Sequence, residues 1–338
     1  MYLVDLLKWL KNKQRRKELF DISKSISIKE KRNRGFVIGD MLLCSVIYGA
    51  MFTEYENLSF YCKSSEVRST YFTTFQEFKL MKEIENKKYK IVFHDKALFL
   101  DKFAKFINRK WWIVGDNLEE LQNIIINNQK VVLKNRLGDS GKEVEVHRIS
   151  KTETAEDLLE YMKKRNLDLV EEFVYNHPII ASLNKTSLNT IRIVTLLLDD
   201  ECTILFAGIR VGAEGAELDN VSQGGAVAAI NIETGCIASS YYYKKTVYSG
   251  NNVQIRTSDE GTKIPFWKDV ILLVENAARV IPEISIVAWD VCLTNTGPEI
   301  IEGNESFGCV VMQVFGDNYA LKPIISKKLL EHNIKIKL

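Results

Sequence analysis

Apolar residues recur along this chain with two periods, and the change from one to the other divides it. Near the start, Leu3, Leu6, Leu7 and Leu10 stand at helical spacing beside Trp9, followed by Lys11, Lys13, Arg15, Arg16 and Lys17, which predicts an amphipathic helix with a basic face. From 39 to about 89 the pattern stays helical, with a dense apolar and aromatic run over 41–60. Thr74 with Glu77 three residues on has capping-box spacing before Phe78, Met81 and Ile84, so a helix is predicted to start there. After Asp95, helices over 98–107, 118–126 and 155–164 alternate with strands over 131–133, 144–149 and 168–174. Beyond His177 strands dominate, at 190–198, 203–209, 226–232, 286–293 and 299–302. One helix, about 267–280, interrupts them with an apolar stripe at Val270, Ile271, Val274 and Ala278. There is no internal repeat and no low-complexity segment.

Length and composition bound this picture without naming a partner. A chain of 338 residues is long enough for two or three lobes. Its 46% hydrophobic and 27% charged residues are ordinary for a globular protein, and a formal net charge of +2 argues against a dedicated nucleic-acid binder. No stretch reaches the roughly 18 apolar residues of a membrane-spanning helix, and the first 30 residues lack a signal peptide's pattern, so a cytoplasmic protein is expected. The six cysteines are scattered with no C-x-x-C pair, as reduced, packed thiols would be. Eleven Lys/Arg against four acids in the first 34 residues suggest either a helix packed on its own protein or a peripheral contact of residues 1–17 with anionic lipid at the inner membrane face.

Candidate chemistry sits where strands end. Ala288-Trp289-Asp290-Val291 and Ile300-Ile301-Glu302-Gly303-Asn304 are both strand-like, and Asn295-Thr296-Gly297 between them suits a three-residue hairpin loop with glycine in the left-handed position. In that register Thr294 faces Pro298, which places Asp290 opposite Glu302 on one face about 5 Å apart, with Asn304 sharing the face. Two carboxylates and an amide oxygen among such apolar neighbours are costly to bury unless a cation neutralises them, and magnesium takes hard oxygen ligands of this kind. The plainer alternative is a surface hairpin with ordinary polar residues.

A second signal is Lys130-Val-Val-Leu-Lys134 followed by a glycine loop with Gly138, Ser140, Gly141 and Lys142 and a return strand. Such a hairpin flap can lay amides and positive charge over phosphates, although a Gly-containing hairpin with exposed lysines is also common. A third is Leu169-Val170-Glu171-Glu172-Phe173-Val174, a strand edge able to present backbone groups to adenine, or else a strand with a solvated acidic pair. Arg192 and Arg210 stand within apolar strands, where an unpaired guanidinium is costly; phosphate, a carboxylate substrate, Asp219, Glu302 or Asp290 would each satisfy them.

Taken in order, these features resemble an ATP-grasp enzyme, and the strings S-L-N-T-I-R, L-D-N-V-S-Q-G-G, A-W-D-V and I-I-E-G-N resemble the sugar-transfer associated branch, over roughly 93–328. The resemblance implies an α+β fold with ATP between two lobes, at 93–175 and 176–328, preceded by a helical region at 1–92 and followed by a tail at 329–338. It implies that Lys96 and Lys134 hold the ATP phosphates under the Gly138, Ser140 and Gly141 flap, with Glu171 and the Glu172, Phe173 and Val174 backbone on adenine. His177 lies near where an acid often holds the ribose, and Asn220 near the phosphates. Asp290, Glu302 and Asn304 would hold one or two magnesium ions, for which manganese can substitute, and Arg192 and Arg210 would face the transferred phosphoryl group or the acceptor. The implied activity is ATP-dependent joining of a small or glycan-linked carboxylate to an amine through an acylphosphate, in surface-polysaccharide or glycoconjugate assembly. The alternatives are a kinase acting on a hydroxyl and a nucleotide-binding partner of a glycan-assembly complex without turnover.

Overall fold

Asn12 opens the first helix among the described residues, its side chain accepting from the backbone N–H groups of Gln14 and Arg15. The structure, a computed structural model, describes residues 11–138, 144–213, 215–216, 224–243 and 259–336. Helix α1 (Lys13–Lys29) turns Leu19, Ile22 and Ile26 inward, and α2 (Arg34–Tyr48) turns Val37, Met41 and Cys44 towards them. Helix α2 ends at Gly49, whose φ of 69° is the left-handed conformation that favours glycine. With Phe52, Tyr55 and Phe60 these residues form the core of a helical unit that runs to Glu85 and resumes at Phe307. Packed-helix behaviour is thus observed for 13–29, while residues 1–10 of the expected amphipathic helix lie outside the described residues. Helix α3 (Thr74–Ile84) is capped one residue earlier than expected, by Thr73 with Gln76. The Thr74 hydroxyl and N–H are taken by Glu54, and Glu77 accepts from the N–H groups of Gly308 and Cys309, so neither is free to make the box.

The second unit covers Asn86 to Lys244 and Arg256 to Ser306 and contains two antiparallel sheets. Asp95 caps α4 (Lys96–Lys102), which ends well before the expected 107 and gives way to a single 3₁₀ turn, Ala104–Phe106. Strands β1 (Trp111–Ile113), β2 (Lys130–Lys134), β3 (Val144–Arg148) and β4 (Leu169–Glu172) form a sheet in the order β1-β4-β2-β3, covered by α5 (Leu118–Asn127) and α6 (Ala155–Lys164). The three-residue β1 was not predicted, because its Trp-Trp-Ile run is too short to show a period.

The larger sheet has the order β10-β9-β5-β6-β7-β8, from β5 (Thr190–Leu198), β6 (Glu201–Val211), β7 (Ala226–Ala229), β8 (Tyr242–Tyr243), β9 (Ile286–Thr294) and β10 (Gly297–Asn304). Side chains alternate across it. Ile191, Ile193, Ile209, Trp289 and Val291 enter a core with Val270 and Val274 of α7 (Trp267–Ala278), whereas Arg192, Arg210 and Asp290 project to the other face. The α+β class read from the sequence is the class observed. Among the described residues, no helix is long and apolar enough to cross a membrane.

The hairpin β9–β10 reaches the expected pairing by a different route. Thr294 faces Gly297, not Pro298, so the loop is Asn295-Thr296 alone, and Gly297 adopts a φ of 132°. A β-bulge at Ile301, between Ile300 and Glu302, then restores Asp290 opposite Glu302.

Candidate active site

Pairing places Glu302, Asp290 and Arg192 in one row across β10, β9 and β5. Arg192 grips Asp290 with two hydrogen bonds, Nε to Oδ1 at 2.5 Å and Nη2 to Oδ2 at 2.9 Å. Arg210 adds a third contact, Nη2 to Asp290 Oδ2 at 3.0 Å, and donates to the Thr190 hydroxyl. Asn304 Nδ2 donates to Glu302 Oε1 at 3.2 Å, so the amide and the carboxylate lie on one face. Asp290 is 1% exposed. Burial, reinforced by the neighbouring Glu302, pushes its carboxyl up to about 7 against the pull of Arg192 and Arg210. Burial also raises Glu302, but the hydrogen bond with Asp290 and the charges of Arg210, Arg192 and Lys134 outweigh it and hold that carboxyl at about 2. The proton that one of the two holds longest as pH rises therefore sits on Asp290.

Across the cavity, Lys134 at the end of β2 places Nζ 2.6 Å from Glu171 Oε1, and Arg109 Nε lies 2.5 Å from Glu171 Oε2. Burial would raise the Glu171 carboxyl, yet these two cations hold it at about 2. Lys96 donates from Nζ to the carbonyls of Asn135 and Gly138, tying α4 to the loop after β2. Glu172 accepts from the Lys110 N–H and from Asn128, and Phe173 lies under Lys130, whose Nζ is 3.4 Å from the ring centre.

A cavity of about 600 Å³ opens between the two rows, a size suited to a nucleotide-sized ligand. Of the residues singled out in the sequence, Lys96, Lys134, Gly138, Glu171, Glu172, Phe173, Val174, Arg192, Arg210, Asp290, Glu302 and Asn304 all line it. His177 does not: its Nδ1 accepts from the Ile179 N–H and its ring meets Phe266 edge-on at 5.9 Å. Ser140, Gly141 and Asn220, with Lys142 and Asp219, lie outside the described residues. Arg109, His94 and Glu305 are charged or titratable wall residues that carry no site signal in the sequence, and of these Arg109 is the most buried. Nothing in Asn108-Arg109-Lys110 separates it from a solvated basic turn; only the folded sheet buries it.

The donor set fits a hard cation. Two carboxylates facing each other, with Asp290 buried and an amide on the same face, offer the hard oxygen donors that a magnesium-like cation takes. No cluster of three His, Cys, Asp or Glu side chains with metal-binding placement occurs among the described residues, so further ligands would be water or phosphate oxygens.

A family model described as sugar-transfer associated ATP-grasp matches residues 66–326. Among solved structures, ATP-grasp ligase PsnB complexed with minimal precursor, Mg and ADP is 10% identical over 74% of this chain and 62% of its own, with a TM-score of 0.43. D-alanyl-alanine synthetase A from Vibrio cholerae O1 biovar eltor str. N16961 is 13% identical over 72% of this chain and 66% of its own, with a TM-score of 0.43. For L-amino acid ligase from Bacillus licheniformis the identity is 15%, the coverage 72% and 51%, and the TM-score 0.40. The chain spans less than two thirds of the length of each of these structures. No curated protein matches it.

Proposed function

The chain belongs to the sugar-transfer associated ATP-grasp family, and from that membership we propose that it is an ATP- and magnesium-dependent ligase that activates a carboxylate as an acylphosphate and passes the acyl group to an amine. The observation that carries the reading is the row Glu302, Asp290, Arg192 facing a cavity whose other wall bears Lys134. In this reading lobes at 93–175 and 176–328 enclose ATP, with Lys96 and Lys134 on its phosphates and the Glu172 to Val174 backbone beside adenine. Glu171 takes the adenine amino group while its other contacts keep it ionised. Asp290, Glu302 and Asn304 hold magnesium, which when bound neutralises charge on the phosphates and on the phosphoryl group in transfer.

Arg192 and Arg210 then exchange Asp290 for the acceptor carboxylate and the transferred phosphoryl group, since a guanidinium binds either in the same forked geometry. A carboxylate oxygen forms a bond to the γ-phosphorus as the bond to ADP breaks. The amine nitrogen then forms its bond to the acyl carbon, phosphate leaves with one former carboxyl oxygen, and the amine loses a proton. The family's sugar-transfer association favours a uronic acid or related glycan carboxylate. A non-catalytic nucleotide binder would have no physical need for this many paired, buried charges around one cavity.

For the amino terminus the reading is a packed helix with at most a weak, salt-sensitive contact of residues 1–17 with anionic lipid, for which the exposed Lys11, Lys13, Arg16 and Lys17 supply the charge.

The direct test is a screen of uronic acids against amino-acid amines and ammonia, scored by nucleotide product. ADP and phosphate should form only with acid and amine together. Release of AMP and pyrophosphate would contradict the reading.

A further inference from the structure

Arg109 touches no reactant in the mechanism above, yet its side chain is 3% exposed and its hydrogen-bonding nitrogens are engaged. Nη1 donates to the Ile300 carbonyl at 2.8 Å, Nη2 to the Ile301 carbonyl at 2.9 Å, and Nε to Glu171. The backbone N–H groups of Asn108 and Arg109 donate to Glu299 Oε2 at 2.8 and 3.2 Å, and Nη1 lies 3.7 Å from the same oxygen. One short segment therefore grips three consecutive residues of β10, the edge strand of its sheet.

Those residues contain the bulge. Pairing runs Ile300 to Val291 and then Glu302 to Asp290, with Ile301 extra. Successive carbonyls of a regular strand point to opposite sides, so one guanidinium can take both only where the strand is bulged. Without the bulge Asp290 would face Ile301. Glu302 would face Trp289, with its carboxylate on the apolar face of the sheet.

We propose that Arg109 is a positioning residue that locks the bulge at Ile301 and so sets Glu302 opposite Asp290. The inference rests on the reading that this pair holds the cation. By bonding Glu171 as well, the same guanidinium fixes the bulge relative to the strand beside Lys134.

The test uses the whole chain and measures, by calorimetry, the factor by which magnesium tightens ATP binding. Wild type and Glu302→Gln come first: if magnesium tightens binding in neither, or equally in both, the cation reading itself fails. Given that difference, Arg109→Met should cut the magnesium factor by about tenfold or more, the scale seen when a group orienting a metal ligand is lost. Any loss of metal-free ATP binding that comes through Glu171 cancels in this factor, which compares binding with and without magnesium in the same variant. Arg109→Lys, which keeps the charge but loses the fork, should fall between and serves if Arg109→Met does not fold.

Deleting Ile301 gives the decisive comparison, because Glu302 then follows Ile300 and meets Asp290 in regular register with no bulge to hold. In that background Arg109→Met should leave the magnesium factor nearly unchanged. An undiminished factor in folded Arg109→Met, or an equal loss with and without Ile301, would overturn the proposal.

Discussion

Asp290 meets two guanidiniums and a second carboxylate while almost wholly buried, and its behaviour follows from that competition. Its raised carboxyl is protonated more readily in the folded chain than in the unfolded one. The stability this gives is therefore fully present below the unfolded value, near 3.8, and is lost as pH rises through about 7. Glu171 and Glu302 work in the other direction: held at about 2, they stabilise the fold above their unfolded value near 4.5 and cease to do so as pH falls towards 2. With no metal present, thermal unfolding should thus show stability falling between about pH 4 and 7 and levelling off above that, a fall which saturating magnesium removes. Magnesium binding should also tighten across that range and release a proton, read as a calorimetric heat that changes with the buffer's ionisation enthalpy. A magnesium affinity flat from pH 6 to 8 would show that the pair holds no proton. We further expect Glu302→Gln or Asp290→Asn to abolish magnesium-dependent ATP turnover in a folded chain, since an amide ligates the ion more weakly than a carboxylate. Glu302→Gln is the cleaner variant, because Asp290→Asn also removes the negative charge that Arg192 and Arg210 share. Near wild-type turnover in either would remove the metal assignment.

Among the elements, the β9–β10 hairpin shows both what could be read from sequence and what could not. Apolar flanks and two acids at hairpin spacing were enough to bring Asp290 and Glu302 together on one face. The tighter loop and the compensating bulge were not legible, since a two-residue loop plus one extra residue and a three-residue loop give the same final pairing. Arg109 escaped notice for a related reason: the carbonyls it binds are exposed by the bulge, and a bulge leaves no residue-type signature here. Gly303, between Glu302 and Asn304, leaves room for the aromatic cluster, as a Cβ there would come within 2.9 Å of Phe99 and 3.1 Å of Phe93 and Trp289. Gly303→Ala should accordingly destabilise the chain by about 1–3 kcal/mol, measured by denaturant unfolding, and weaken magnesium binding as Glu302 and Asn304 shift. An unchanged unfolding midpoint would mean the cluster yields without strain. On β2, Lys134→Ala should weaken ATP binding more than Lys142→Ala, because Lys134 ends a strand at the cavity wall. Equal losses by calorimetry would move the phosphate contact to the flap.

For the molecule as a whole, every residue lining the cavity belongs to the unit built on the two sheets. That unit was readable because strand runs, their order and the acids at their ends all carry signal in the sequence. The helical unit was readable only as helices, because its side chains are spent on packing around Phe52, Tyr55 and Phe60 rather than on any recognisable chemistry. If its amino terminus contacts lipid, binding to anionic vesicles should be weak, vanish at high salt and be lost on deletion of residues 1–17. No binding at low salt would leave these residues with a packing role alone.

If the acceptor is a carboxylate, its oxygen must end in the released phosphate. With heavy-isotope oxygen in the acid's carboxyl group, ATP, magnesium and hydroxylamine in place of the amine, the products should be a hydroxamate, ADP and labelled inorganic phosphate, because phosphate departs with one carboxyl oxygen. A stable phosphate ester of a hydroxyl, with no hydroxamate and no label in the phosphate, would contradict it.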